Sequence, residues 1–216
     1  MSLHIIALRK HGDVSKLDFE DGLRVAVQDR ISTATSVHQI AIDLCAKDQA
    51  GLGSVHPSVD ALMWVERDDG NVDLKQSELL DVAAPVGTWK VDGQHFLEHH
   101  ENWIGAATPG VRILYLMASL PAQPTLRELL DDATARMIDG ALTCYTVTAG
   151  PADLAAIVAF WFPRQEALDD ATQNAVFERI ESATWTGERP ERMLTFERIV
   201  RERVERVAPE TFSDEE

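Results

Sequence analysis

The sequence is poor in cysteine and in basic residues. Its 216 residues include two cysteines, Cys45 and Cys144, each inside an apolar, strand-like segment. Two such cysteines argue against a disulfide framework and favour a reducing compartment. Lys and Arg together number 20 against 36 Asp and Glu, which gives a net charge of −16. This acidity argues against a nucleic-acid partner, because phosphate binding needs a basic surface.

Targeting segments and familiar catalytic motifs are also lacking. The first ten residues, MSLHIIALRK, have neither the basic region nor the long apolar stretch of a signal peptide. No apolar run approaches the roughly 18 residues that span a bilayer. We therefore expect a cytoplasmic protein with no membrane partner. The absence of G-x-G-x-x-G, Walker, H-E-x-x-H, C-x-x-C and G-x-S-x-G motifs disfavours nucleotide binding, zinc proteolysis and serine hydrolysis.

What the sequence does contain is a set of apolar segments that occur twice in the same order. LHIIALRK, from Leu3, is echoed by VRILYLMA, from Val111. VDALMWVE, from Val59, is echoed by AAIVAFWF, from Ala155. Segments of this length, rich in branched residues and bounded by turn residues, are typical of strands. Their repetition predicts two copies of one strand–helix–strand–strand–helix–strand unit.

Apolar periodicity and turn residues place the elements of each copy. The predicted strands cover 3–10, 38–45, 59–66, 88–99, 111–118, 142–148, 155–162 and 192–204. The predicted helices cover 15–31, 73–84, 125–140 and 166–182. Ser15 is a candidate N-cap, and Thr125 with Glu128 forms a T-x-x-E capping box. The end of the last strand, RERVERV, also fits a helix.

Alternation in the first strand indicates how the sheets are covered. His4, Ile6 and Leu8 share one face, whereas Leu3, Ile5 and Ala7 share the other. Both faces are mostly apolar, so neither is expected to meet water. We therefore predict an α+β fold in which two ferredoxin-like βαββαβ units, 1–107 and 108–208, press their antiparallel sheets together into an α/β barrel. Residues 209–216 are predicted to be an acidic tail.

These features resemble the dimeric α/β-barrel superfamily of ferredoxin-like folds, in a tandem form. Within it the sequence is most similar to the EthD-like and stress-responsive barrel families. The similarity rests on the opening strand HIIALRK, on a short turn and on a helix around LDFEDGL. The resemblance implies a small-molecule enzyme, such as a cofactor-free cyclase, a lyase or a monooxygenase without metal. It equally admits catabolic accessory proteins and barrels that bind heme, since fold leaves function open.

Histidines are the leading candidates for chemistry. The resemblance implies that His4, in the first strand, points into the barrel cleft, where a neutral imidazole can act as acid or base. The ordinary alternative is a histidine hydrogen-bonded at the sheet edge. His38 begins the second strand and could pair with His4 across the sheet. In the second copy of the unit, Arg112 occupies the position that matches His4. The two copies therefore differ chemically, and we expect one site, located in the N-terminal half.

A second group of histidines closes the predicted fourth strand. His95, His99 and His100 lie beside Glu98 and Glu101. His99 is a candidate catalytic residue, and any of the three could serve as an axial ligand to heme. Their spacing matches no recognised metal motif, and a solvated segment explains it equally well, so we predict no metal site.

The substrate pocket is predicted from aromatic and acidic residues on the strands. Trp64, Trp89 and Tyr115 could wall an apolar pocket, although such residues are more often plain core. Asp60 could act as a buried base if it faces the barrel interior, although strand ends are more often exposed.

The sequence thus favours an EthD-like enzyme that binds an aromatic or polyketide-like compound and uses histidine acid–base chemistry without a bound cofactor. The alternatives are a non-catalytic binding or catabolic accessory protein, and a heme-binding barrel. The expected partner is a small apolar or aromatic molecule, and a homodimer is compatible with the pattern.

Overall fold

The structure is a computed structural model that describes residues 1–33, 36–46, 58–68, 79–98, 110–147, 154–195 and 197–202. The strands are β1 (Ser2–Lys10), β2 (Val37–Leu44), β3 (Ala61–Arg67), β4 (Ala83–Glu98), β5 (Val111–Met117), β6 (Pro121–Gln123), β7 (Ala141–Val147), β8 (Ala156–Phe162), β9 (Thr184–Trp185), β10 (Glu191–Thr195) and β11 (Glu197–Glu202). The helices are α1 (Lys16–Thr33), α2 (Leu79–Val82), α3 (Leu126–Arg136), α4 (Gln165–Gln173) and α5 (Glu178–Ser182). Among these described helices, none is long and apolar enough to cross a membrane.

Nine of the described strands form one large antiparallel sheet. With the helices that accompany it, this sheet confirms the α+β prediction. Nine strands pair in the order β10-β5-β8-β7-β4-β1-β3-β2-β11, and β6 pairs with β9 separately. The first half contributes β4-β1-β3-β2, and the second contributes β10-β5-β8-β7, which is the same order of strands. This order and the helices that cover the sheet are consistent with a ferredoxin-like fold.

Equivalent hydrogen bonds define which positions of the two halves match. The Asp60 N–H donates to the Leu8 carbonyl at 2.8 Å, and the Ala155 N–H donates to the Met117 carbonyl at 2.7 Å. Counting from these bonds, His4 matches Ile113, not Arg112. A slip of one residue moves a side chain to the opposite face of a strand. The comparison of His4 with Arg112 was therefore wrong by one position.

Three apolar cores result, and seven strands (β1, β2, β3, β4, β5, β7 and β8) contribute side chains to two of them. One core lies between α1 and the first half of the sheet and contains Ile6, Leu8, Phe19 and Leu23. A second lies under α3, α4 and α5. The third, which we call the inter-half core, joins inward-facing residues of both halves: Ile5, Ala7, Ala41, Cys45, Val59, Leu62, Trp64, Trp89, Leu114, Leu116, Val147, Leu154, Ile157 and Met193. The expectation that both strand faces are covered is confirmed.

Helix α1 forms where the sequence predicts it. The Ser15 hydroxyl accepts a hydrogen bond from the Asp18 N–H at 3.1 Å, as an N-cap does. Phe19, Leu23 and Val27 of the predicted stripe are buried against the sheet. In the second half, the capping box between Thr125 and Glu128 is present at the start of α3.

The predicted helix over 73–84 is wrong at its C-terminal end. Residues 69–78 lie outside the described residues, α2 ends at Val82, and β4 begins at Ala83. Pro85 does not close a helix, because it lies within β4 opposite Leu8. The pairing of β1 with β4 shifts register at that point, and a strand accommodates proline at such an irregularity. A second register shift, in the pairing of β4 with β7, lies between Val91 and Gly93.

The long helix predicted over 166–182 is interrupted. α4 ends at Gln173 and α5 begins at Glu178, with Ala175 at φ 55° between them. A left-handed residue cannot continue an α-helix, so the chain turns there. Ala171 before this break and Val176 and Ile180 after it are all buried, which is why the pattern favoured one helix. The last strand is confirmed as far as Glu202, and residues 203–216 lie outside the described residues.

Because the inter-half core belongs to both halves, we predict that Ile157→Ala destabilises them together. Ile157 is fully buried in that core, and such a truncation costs about 2–5 kcal/mol in the free energy of unfolding. Urea denaturation followed by circular dichroism and by tryptophan fluorescence should give one coincident transition at lower urea. Ile138→Ala is the matched control, because Ile138 is 71% exposed. Two separate transitions, or a loss equal to that of the control, would contradict the shared core.

Candidate functional site

A cavity of about 260 Å³ opens at one end of the inter-half core. Its wall is formed by strand ends and by the segments that join them. The lining residues are Ala7, Arg9, Ser58, Val59, Val86, Trp89, Leu116, Ala118, Leu154, Glu188, Arg189 and Glu191. Six of these lie before residue 90 and six after residue 115, so both halves build the cavity.

The apolar part of the lining comes from matched positions of the two halves. By the hydrogen-bond equivalence above, Ala7 matches Leu116, and Val59 matches Leu154. All four of these residues are inner-face residues of the inter-half core. The cavity therefore lies where the two halves meet with the same backbone geometry.

Trp89 forms the aromatic wall, and Gly87 makes room for it. Both residues lie on β4, two positions apart, so they share a face. A Cβ atom at Gly87 would overlap the six-membered ring of Trp89. The outer edge of the indole therefore covers the glycine, which pairs with Ala7 on β1. Small residues at these positions leave the space that the cavity occupies.

The polar rim is built on a chain of hydrogen bonds between the halves. The Ser58 N–H and hydroxyl both donate to Glu191 Oε2, each at 2.8 Å. The Ser58 carbonyl accepts from Arg9 Nε at 3.0 Å and from Arg9 Nη2 at 2.5 Å. Glu191 thus holds Ser58, and Ser58 orients the guanidinium of Arg9.

Of the predicted pocket residues, the structure places Trp89 at the cavity and the other three elsewhere. Trp64 lies deeper in the inter-half core, where its Nε1 donates to Asp43 Oδ2 at 2.7 Å. The Asp60 carboxylate accepts the Lys10 N–H at 2.9 Å. Tyr115 lies on the opposite face of β5, in the helix-covered core, and donates to Glu181 at 2.9 Å. Burial raises the pKa of the Tyr115 phenol far above its ordinary range.

His4 does not line this cavity. Its side chain lies on the same face of β1 as those of Ile6 and Leu8, which pack with α1. Ile5 and Ala7, on the opposite face, belong to the inter-half core. Its Nε2 lies 3.1 Å from the Ser2 hydroxyl oxygen. Burial, with smaller contributions from the charges of Arg67 and Lys90, lowers the pKa of its imidazole. The structure therefore matches the alternative of a hydrogen-bonded histidine near the N-terminus. It does not place His4 at a sheet edge, because β1 pairs with β4 on one side and with β3 on the other.

His38 lies near the same end of the sheet, where it contacts Asp68. Its Nε2 lies 2.9 Å from Asp68 Oδ1, and this hydrogen bond lowers the pKa of the exposed Asp68 carboxyl. His38 does not line the cavity either. His99 and His100 lie outside the described residues, and His95 is placed only by its backbone in β4, opposite Cys144.

Sequence reasoning missed Arg9, Ser58 and the segment from Glu188 to Glu191. Strand alternation in the sequence could have identified Arg9, because it follows Ile5 and Ala7 on the inward face of β1. Ser58 and Glu191 have none, since 133 positions separate them and they meet only through the packing of the halves.

Both cysteines of the sequence are buried thiols. Cys45 and Cys144 are both free and buried. Burial raises the pKa of the Cys144 thiol to about 11, so it stays protonated at neutral pH.

The fold is similar to that of several solved structures. An anthrone oxidase-like protein matches with a TM-score of 0.59 at 12% identity, and the match covers 96% of each chain. A candidate monooxygenase from Lactobacillus acidophilus matches with a TM-score of 0.51 at 9% identity, over 94% of this chain and 96% of its own. These neighbours share a ferredoxin-like α/β fold, and at such identity the likeness establishes the fold alone. No family model and no curated protein matches the sequence significantly.

We predict that Gly87→Ala alters the cavity without unfolding the protein. The new methyl group must displace the Trp89 ring, since the two cannot occupy the same space. The fluorescence maximum of the protein should shift to the red as this indole, 6% exposed in the native structure, meets water. Gly12→Ala is the control, because nothing lies within 4 Å of a Cβ at that position. Identical spectra for the two variants would show that Trp89 does not lie over Gly87.

We also predict a pH dependence of stability that originates at His4. Its folded-state pKa is lowered, so below about pH 6.5 the unfolded chain binds more protons than the folded one. The free energy of unfolding should therefore fall as pH decreases from 7.5 to 5, with a slope of at most about 1.4 kcal/mol per pH unit for one proton. In His4→Gln this contribution disappears, whereas that of Asp68, whose pKa is lowered from its ordinary acidic value, falls below this pH range. Equal slopes for the two proteins in urea titrations would contradict the prediction.

Proposed function

We propose that the chain is a small-molecule-binding protein whose two ferredoxin-like halves, 1–107 and 108–208, arose by tandem duplication. Three observations support a duplication. The strand order is the same in both halves. The hydrogen bonds from Asp60 to Leu8 and from Ala155 to Met117 are equivalent. The inner-face residues of both halves meet in one core.

We further propose that the sheet closes into a barrel. β4 pairs with β7, so the fourth strand of the first half meets the second half. At the two ends of the strand order stand β10, which pairs with β5, and β11, which pairs with β2. Only residue 196 separates β10 from β11 along the chain. One continuous stretch that pairs with β5 and then with β2 would join the two ends, and a closed sheet leaves no edge strand exposed.

The proposed ligand is a small aromatic compound, bound in the cavity between the halves. The observation that supports this most directly is a cavity that combines an apolar part, with Trp89 as its aromatic wall, and a polar rim, as ligand sites do. Its volume of about 260 Å³ lies just below the roughly 300–1,000 Å³ of such sites, which favours one or two rings over an extended polyketide. The fold shared with the anthrone oxidase-like protein and the candidate monooxygenase is compatible with EthD-like chemistry on such a compound.

Proton transfer by His4 and His38 stays a prediction, and we do not assign it to this cavity. Neither side chain lines the cavity, whereas a general base must come within hydrogen-bond reach of its proton. The described carboxylates at the cavity are Glu188 and Glu191. An enzyme of this architecture would therefore use a carboxylate, or a group outside the described residues, as its acid or base.

The test is the binding of 2-naphthylmethanol, a neutral two-ring probe, measured by thermal shift and by fluorescence titration. We expect saturable binding that weakens about tenfold or more in Trp89→Ala, because the ring loses its aromatic partner in a desolvated pocket. Trp185→Ala is the matched control, since Trp185 packs against the helix-covered core of the second half. No binding, or equal weakening by both substitutions, would refute the proposal.

A further inference from the structure

We propose that the cavity selects an aromatic carboxylate and that Arg9 binds the carboxylate group. This inference deepens the proposed function and rests on it. Arg9 and Ala7 are two positions apart on β1, so the guanidinium extends from the same strand face that forms the cavity floor. A carboxylate held by Arg9 would leave its aromatic ring over Ala7 and beside Trp89.

The positive charge of Arg9 is available to a ligand. Its two described hydrogen bonds both go to the Ser58 carbonyl, which is neutral. Within the described part of the chain, no carboxylate pairs with Arg9. A guanidinium has five N–H donors in a planar fork, so three remain after these two bonds. Such a fork matches the two oxygens of a carboxylate.

The orientation of Arg9 is fixed before any ligand arrives. Glu191 accepts two hydrogen bonds from Ser58, and the carbonyl of that same residue holds the guanidinium. Positioning a flexible side chain in advance reduces the entropy that binding would otherwise cost. The Glu191 carboxylate is engaged by two donors, which reduces its repulsion of a bound anion.

The remaining rim charges do not reverse this selection. Arg189 and Glu188 are both exposed and adjacent in sequence, so their charges offset each other at the mouth. The net charge of −16 repels anions at long range, but salt screens that repulsion beyond about 8 Å at physiological ionic strength. Contact with Arg9 therefore decides which ligand is bound.

The two halves differ at the position of Arg9, so the cavity contains one such group and not two. By the hydrogen-bond equivalence, Arg9 matches Ala118, and both line the cavity. The duplicated backbone thus presents one guanidinium and one methyl group at equivalent places. A ligand with one charged end and one apolar end fits this pair in one orientation.

The experiment compares three probes of the same shape: 2-naphthoate, 2-naphthylmethanol and 2-naphthylmethylamine at pH 7.5. We expect the anion to bind most tightly, and the ratio of its affinity to that of the alcohol to fall about tenfold or more in Arg9→Gln. Arg9→Lys keeps the charge but not the fork and should give an intermediate ratio. Arg127→Gln, which removes the same charge from an exposed position of α3, should leave the ratio unchanged.

The outcomes separate this inference from the proposed function. If no probe binds, or if Trp89→Ala affects none of them, the proposed function fails and this inference with it. If the alcohol binds as tightly as naphthoate and Arg9→Gln does not change the ratio, only the anion selection is refuted. Tightest binding of the amine would refute it as well, and would point to Glu188 in place of Arg9.

Discussion

The structure depends on one constraint, which is that its strands are apolar on both faces. Helices α1, α3, α4 and α5 cover one face of each half of the sheet, and the other face must be covered by something else. The halves satisfy this requirement by packing their inner faces on each other, through Ile5 and Leu62 of one and Leu114 and Ile157 of the other. At roughly 25 cal/mol per Å² of apolar surface removed from water, a shared core of this kind is a major stabilising contribution.

The same constraint creates the cavity, because the shared core is not filled uniformly to its end. Trp64 and Trp89 fill much of the interior, but two of the residues that line the cavity, Ala7 and Ala118, are small, and Gly87 lies against the Trp89 ring. Small residues on a close-packed scaffold leave a space that the neighbouring side chains cannot fill without distorting the strands. The indole of Trp89 occupies the place that a side chain at Gly87 would need, and so turns a gap in the core into a walled site.

Periodicity was sufficient to predict the α+β class and the principal strands, and insufficient to predict the site. The two-faced pattern of β1, the cap at Ser15 and the box at Thr125 are local signals, and each is confirmed. The face of His4 depends on tertiary packing, because only the helix and the opposite half define inside and outside. The echo of LHIIALRK in VRILYLMA matches apolar runs without fixing their register. The site depends on contacts between residues distant in sequence, such as Arg9 with Ser58 and Ser58 with Glu191.

If the halves arose by the proposed duplication, their difference at equivalent positions would explain how a repeated backbone acquires a directional site. Where Ala7 matches Leu116 and Val59 matches Leu154, both members of each pair are apolar, and they serve the shared core. Where Arg9 matches Ala118, the pair lies at the mouth, and the charge is present once. Arg9 is itself exposed, so the selectivity proposed for it depends on the orientation that its hydrogen bonds to Ser58 impose and not on a low local dielectric. In the proposed site, one oriented guanidinium would match the two oxygens of a carboxylate from one side of the cavity, and the methyl group at the equivalent place would leave the other side to an apolar group.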